Sequence, residues 1–309
     1  MSLLNKVVTG IKKKPICLLV YGVHGIGKSS FPLQMPNPIF IGPEENDELE
    51  VARFPKVSKW NDLLGQLKTL RDEKHDYKTL VIDTIDTLEH MAEIEILKGL
   101  PKKVTMATVM GGYGSGYRAM AKMFLEIREE YLIPIRDNVG MNIILLAHSS
   151  MEKIEDPVSM TSYDTYYPNM DKRVRPIIED WVSGILFINY VLFKTEAANG
   201  KEFAVGEGER RIYTEERPSH QAKNRFGLPY EMRYTLQVGC REVIDCINKF
   251  YGESDKFIAP VKAAIDELRD IYPSLSPQAQ EYIKRSMQTD LSEDQRKQLL
   301  HNVKNNINL

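Results

Sequence analysis

Gly22, Gly25, Gly27, Lys28 and Ser29 stand in the string Gly22-Val23-His24-Gly25-Ile26-Gly27-Lys28-Ser29, which begins where the apolar run Ile16–Tyr21 ends. A glycine, four residues and then Gly-Lys-Ser let backbone N–H groups curl around a polyphosphate without interference from Cβ atoms. The Lys28 ammonium then reaches the β- and γ-phosphates, and the Ser29 hydroxyl becomes a ligand of Mg2+. The implied ligand is a nucleoside triphosphate. Mg2+ is expected with it, and Gly22, His24, Gly25, Ile26, Gly27, Lys28, Ser29 and Ser30 around the phosphates.

Further polar residues fall where strands should end, which is where open α/β sheets hold their ligands. Asp83 closes the run Leu80-Val81-Ile82, a position from which a carboxylate completes the metal shell of a bound triphosphate. The alternative is an Asp that caps the helix beginning near Thr84. Asp86 lies a turn further from that position. Glu44 or Glu45, in an acidic cluster after the second strand, is the candidate to orient or deprotonate an attacking water; an acidic loop can equally be solvated surface. His148 ends the strand Ile143–Ala147, placed either to touch a γ-phosphate or to serve as a hydrogen-bonded structural residue. Lys223 and Arg225 are two residues apart, so an extended strand projects both from one face. Two cations together suit a phosphate, or else protect an exposed strand edge. No nucleophile elbow, His-based triad or zinc-ligand spacing accompanies them.

These residues need a scaffold, and the pattern supplies one. The chain has 309 residues, 42% of them hydrophobic and 27% charged, with a net charge of −2. That suits a globular protein with one large domain and argues against wholesale electrostatic coating of DNA. Cys17, Cys240 and Cys246 form no CxxC pair, which points to reduced thiols and a cytoplasmic setting. Lys12-Lys13-Lys14 precedes an apolar run too short for a secretory signal, and no run reaches the length of a membrane span.

Along the chain, Ile16–Tyr21, Ile39–Gly42, Thr79–Asp83 and Asn142–Ala147 read as buried strands. A short helix follows Ser29, Trp60–Asp72 shows helical periodicity, and Leu88–Leu97 and Val174–Val182 read as helices. Arg118–Val139 reads as a long helix interrupted at Pro134. Ser149–Met170 has no periodicity and is expected to be a long functional loop. Gly184–Phe193 should be a strand, Asn199-Gly200 a hairpin turn, and Arg210–Thr214 the returning strand. The fold class is α/β: a mostly parallel sheet with an antiparallel edge hairpin over residues 1–240, and a helical region over 241–309.

The ordered set resembles the RecA-like P-loop NTPase core. Ile39-Phe40-Ile41-Gly42-Pro43-Glu44 is similar to the segment in which a Glu closes the second strand and activates water, which selects Glu44 over Glu45. His148 falls where RecA-like proteins carry a γ-phosphate-sensing Gln, and the chain departs from the pattern there. Lys223-Asn224-Arg225-Phe226-Gly227 resembles the Lys-x-Arg-x-Gly element of ring-forming DnaB-type helicases, which implies that Lys223 and Arg225 act in trans on a neighbour's ATP. Thr79–Thr84, Tyr113–Tyr117 and Ala222–Pro229 together resemble bacteriophage RecA-like ATPases, described as phage nucleotide-binding proteins, that accompany single-strand annealing and recombination. The resemblance covers residues 15–230.

It implies a DNA-stimulated ATPase in the bacterial host cytoplasm, self-associated as a ring or filament on single-stranded DNA and working beside a phage single-strand-binding or annealing protein. Residues 104–118 and 149–175 would then line the nucleic acid. They supply Tyr113, Tyr117, Arg118, Lys153, Tyr163, Tyr166, Tyr167, Lys172, Arg173 and Arg175, rings for stacking and cations for phosphates. The same tyrosines could instead pack a loop onto the body. Two rival functions share this core: a helicase or translocase motor, and a nucleotide-gated protein-interaction module without DNA activity.

Overall fold

Apolar runs with no polar alternation form the centre of the molecule. The computed structural model describes residues 13–44, 48–157, 160–196, 202–206 and 208–252. Strand β1 (Cys17–Gly22) is buried along its whole length, as is β4 (Thr79–Ile82), and β2 (Pro38–Ile41) is buried at all but its first residue. Such strands need cover on both faces, which a parallel sheet flanked by helices provides.

One sheet joins β1, β2 and β4 with β3 (Ala52–Arg53), β5 (Asn142–Asp156), β7 (Gly184–Tyr190), β10 (Arg210–Tyr213) and β12 (Glu231–Tyr234), in the order β12-β10-β7-β1-β5-β4-β2-β3. From β7 to β3 all neighbours are parallel, and β10 and β12 add an antiparallel extension beyond β7. The expected α/β sheet with an antiparallel edge is therefore present. The strand before Asp83 is separated from β1 by β5, so the ends of β1, β5 and β4 stand side by side. Register fixes their level: Gly22 pairs with His148 and Ile188.

Helix α1 (Trp60–Asp72) buries Trp60, Leu63, Leu67 and Leu70, the i, i+3, i+7 stripe of an amphipathic helix. The Asp62 carboxylate caps it, accepting from the Lys59 N–H at 2.9 Å. Helix α2 (Ile85–Leu97) buries Ile85, Leu88, Met91 and Ala92. Helix α3 (Ser115–Glu126) continues through wide π-type turns at Ile127–Leu132 and Ile135–Val139, either side of Pro134. That is the interruption a proline without an N–H imposes. Helix α4 (Arg175–Trp181) completes the layers, and α5 (Arg241–Phe250) follows the sheet. By contacts the chain divides into residues 1–247 and 248–309.

Several expectations need correction. Ser149–Met170 is not a loop: β5 runs on past His148 and pairs antiparallel with β6 (Thr161–Pro168), from Ser149 opposite Pro168 to Asp156 opposite Thr161. Exposure alternates along the hairpin but does not follow polarity: Glu152 and Asp156 are half-buried with Ile154, while Met151 is exposed. The period-2 apolar signal that reveals a strand was therefore missing. Strand β7 ends at Tyr190, and β8 (Phe193–Glu196) pairs with β9 (Glu202–Val205) in a separate two-stranded sheet. The turn expected at Asn199-Gly200, Glu45, and the chain after 252 lie outside the described residues. Among the described residues no helix is long and apolar enough to cross a membrane.

Candidate nucleotide site

The phosphate loop leaves β1 under tight steric control. A Cβ on Gly22 would lie 2.3 Å from the Ile188 carbonyl oxygen, so only glycine lets β1 and β7 run this close. Gly27 holds φ at +97°, in the region that favours glycine. Ile26, fully buried, anchors the loop's crest. Lys28–Gln34 then forms a short 3-10 helix with Pro32 inside it. The Lys28 ammonium folds into the loop, donating to Gly22 O at 3.2 Å and Val23 O at 3.0 Å. Burial lowers its pKa, and the charges of Asp83, Asp86 and Glu44 oppose that shift.

Ser29 Oγ donates to Asp83 Oδ2 at 2.7 Å, joining residues 54 positions apart. Asp83 is only 3% exposed. A serine hydroxyl and a buried carboxylate in contact beside the phosphate loop make an oxygen pair that suits a hard divalent cation, and Mg2+ fits it. Gly42 brings the end of β2 onto the same point: a Cβ there would fall 1.9 Å from Asp83 O. Glu44 follows, its N–H 3.4 Å from Asp83 O. Its carboxylate is exposed and accepts from Thr87 Oγ1 at 3.3 Å, in the first turn of α2.

His148 is held by Asp86. The His148 N–H donates to Asp86 Oδ1 at 3.1 Å, and Nδ1 lies 2.8 Å from Oδ2. On its other side, the His148 ring stacks on His24 of the phosphate loop, with centroids 4.0 Å apart and planes at 23°. The His148 charge is the main cause that lowers the His24 pKa, with burial second. Burial pushes the Asp86 carboxyl up, but the hydrogen bonds and charge of His148 outweigh it and the pKa is lowered. The partnership of Asp86 with His148 has no signal in the local sequence, where Asp86 stands only a turn beyond Asp83. Three residues beyond Asp83, in the first turn of α2, it faces the end of β5 instead.

Lys223 and Arg225 are not at this chain's own phosphate loop. Strand β11 (Lys223–Asn224) pairs with Ile185 and Gly184 of β7. Ile185 pairs with Leu19, three residues and about 10 Å of strand before Gly22. The extended strand expected to carry both cations stops at Asn224, before Arg225. The Asn224 side chain explains why: Oδ1 accepts from Phe226 N and Leu228 N, both at 3.1 Å, curling the chain into a turn. Lys223 Nζ donates to Glu179 O at 2.5 Å and Asp180 O at 3.3 Å, in the last turn of α4. Arg225 is exposed at the tip of the turn, whose flanks Phe226 and Leu228 are buried.

The proposed strand-lining residues are largely occupied within the chain. Tyr166 stacks on Phe187 at 5.1 Å. Arg118 closes its own loop through Tyr113 O at 2.9 Å. Arg173 lies over Tyr117 at 5.2 Å, and Arg175 lies over Tyr167 at 4.6 Å while pairing with Glu152. Tyr113 alone of the tyrosines named is almost fully solvent-facing, at 95% exposure. Between α2, α3 and the hairpin lies a cavity of about 820 Å3, lined among others by Glu89, Glu93, Tyr117, Lys153, Arg173 and Arg175. Burial raises the Glu89 pKa to about 8, against the opposing hydrogen bond that its carboxylate accepts from the Asp171 N–H at 2.9 Å. Asp86 borders this cavity as well as holding His148, so the two regions share a residue.

A family model described as an AAA domain matches residues 14–226. Among solved structures, the chain is similar to a KaiC-like protein from the hyperthermophilic archaeon Pyrococcus horikoshii, with 14% identity and a TM-score of 0.33 over 72% of this chain and 90% of that one. No curated protein matches the chain.

Proposed function

Because the chain belongs to the AAA domain family, we propose that it binds Mg2+–ATP at the phosphate loop and hydrolyses it with Glu44 as the water-activating carboxylate. The observation that carries this reading is the 2.7 Å contact between Ser29 and Asp83. Lys28 balances charge on the β- and γ-phosphates, and Ser29 and Asp83 would hold Mg2+, which would supply further positive charge to the phosphate oxygens. Glu44 takes a proton from water as the water oxygen bonds to the γ-phosphorus. The bond from that phosphorus to the β-phosphate oxygen breaks, leaving ADP and inorganic phosphate. His148, fixed by Asp86, stands on the γ side of the loop and reports whether that phosphate is present.

The reading extends to an assembly and a polymer. Arg225, held out on a rigid turn with Lys223 beside it, completes the site of a neighbouring copy in a ring or filament. The Tyr113 loop and the β5–β6 hairpin engage single-stranded DNA, in annealing or recombination. The test is steady-state ATP hydrolysis with and without single-stranded DNA, for wild type, Lys28→Ala, Arg225→Ala and mixtures of the two variants. DNA stimulation that is lost in each variant and partly restored in mixtures supports the whole reading. A rate indifferent to DNA leaves the nucleotide site in place and favours a nucleotide-gated interaction module. That second reading has its own support, since Arg175 and Lys172 are paired with Glu152, and Arg173 with Asp171. Directional strand displacement would instead indicate a motor.

A further inference from the structure

The antiparallel extension reaches the phosphate loop from outside. Register sets Arg210 opposite both Tyr190 and Tyr234, a row across β7, β10 and β12 just beyond the level of Gly22. Tyr234 is 2% exposed, and its hydroxyl donates to Gly27 O at 2.5 Å. The Tyr190 hydroxyl reaches Gly25 O at 3.5 Å. Gly27 O also accepts from Ser30 N at 3.1 Å, the first bond of the 3-10 turn, so the carbonyl is engaged twice. Leu236 packs against the same glycine, its Cδ2 2.2 Å from where a Cβ would stand.

In a trans peptide the C=O and the following N–H point to opposite sides. With Gly27 C=O turned outward to Tyr234, the Lys28 N–H is turned inward, to the side where a phosphate would sit. We propose that Tyr234 is a positioning residue for nucleotide binding, its hydroxyl fixing the Gly27–Lys28 peptide with the N–H facing the triphosphate. This rests on the nucleotide-binding reading and adds a residue outside the family match, which ends at residue 226. Part of the affinity then comes from the antiparallel edge, although the phosphate loop itself belongs to the parallel core. Burial raises the Tyr234 pKa well above its ordinary value, so the phenol remains a donor throughout the working pH range.

Tyr234→Phe keeps the ring that packs near Phe31, at 6.4 Å between centroids, and removes one hydroxyl; Gly27 O keeps its bond from Ser30. The experiment measures the affinity of wild type, Tyr234→Phe and Lys28→Ala for ATP and for inorganic tripolyphosphate, with the melting temperature and Lys28 amide exchange alongside. The expected result is a loss of about 3- to 10-fold for both ligands in Tyr234→Phe, the effect of one neutral hydrogen bond. Lys28 amide exchange should quicken while the melting temperature stays within about 2 °C. Unchanged affinities, or a loss for ATP alone, overturn the proposal. So does an affinity loss that only follows a fall in melting temperature. If wild type binds neither ligand, the nucleotide-binding reading itself fails, and this inference with it.

Discussion

Each residue around the phosphate loop makes a separable contribution. The Glu44 carboxylate is exposed, and the hydrogen bond it accepts from Thr87 orients it. Glu44→Gln should therefore leave ATP affinity within about twofold and slow hydrolysis by about 100-fold or more, the range for losing a general base. Lys28→Ala removes a buried cation, and ATP affinity measured by calorimetry should drop by about 100-fold. Glu89 offers a pH signature. Its folded pKa of about 8 lies above the unfolded value, so it contributes stability in full below the unfolded pKa, and that contribution is lost as pH rises through about 8. The wild-type melting temperature should decline over that interval. In Glu89→Gln, which can still accept from Asp171, the decline should be smaller by a few degrees, as scanning calorimetry from pH 5 to pH 9 would show.

At the scale of elements, the site is a set of strand ends brought level by register, and this decides what the sequence could reveal. The phosphate loop, Glu44, Asp83 and His148 each follow a continuous apolar run, so both the strand and the polar residue at its end were legible. Asp86 and Tyr234 were not, because their partners lie 62 and 207 residues away. No local pattern encodes such contacts; only sheet order and register create them. Gly42 was legible as a residue but not as a requirement, since the carbonyl it must clear belongs to Asp83, just past the end of β4. Gly42→Ala should push the end of β2 off Asp83, lowering turnover by about 10-fold or more while tripolyphosphate binding persists. The hairpin escaped for another reason: its more covered face carries Glu152 and Asp156, so no apolar alternation marks it in the sequence.

For the molecule as a whole, the phosphate loop and the Ser29–Asp83 pair lie within one chain, while β11 pairs with β7 about 10 Å of strand short of the loop and is followed by the exposed Arg225. If a neighbour supplies it, turnover should rise with protein concentration faster than linearly, and Arg225→Ala should lower the limiting rate by about 10³-fold, as for other arginine fingers. The central proposal is that ATP is cleaved where Glu44 and Asp83 meet the phosphate loop. Single-turnover conversion of ATP by wild type and Glu44→Gln, with bound ATP quantified in the same samples, tests that directly. The predicted result is equal occupancy in both proteins and conversion about 100-fold or more slower in Glu44→Gln. Equal conversion at equal occupancy would contradict it.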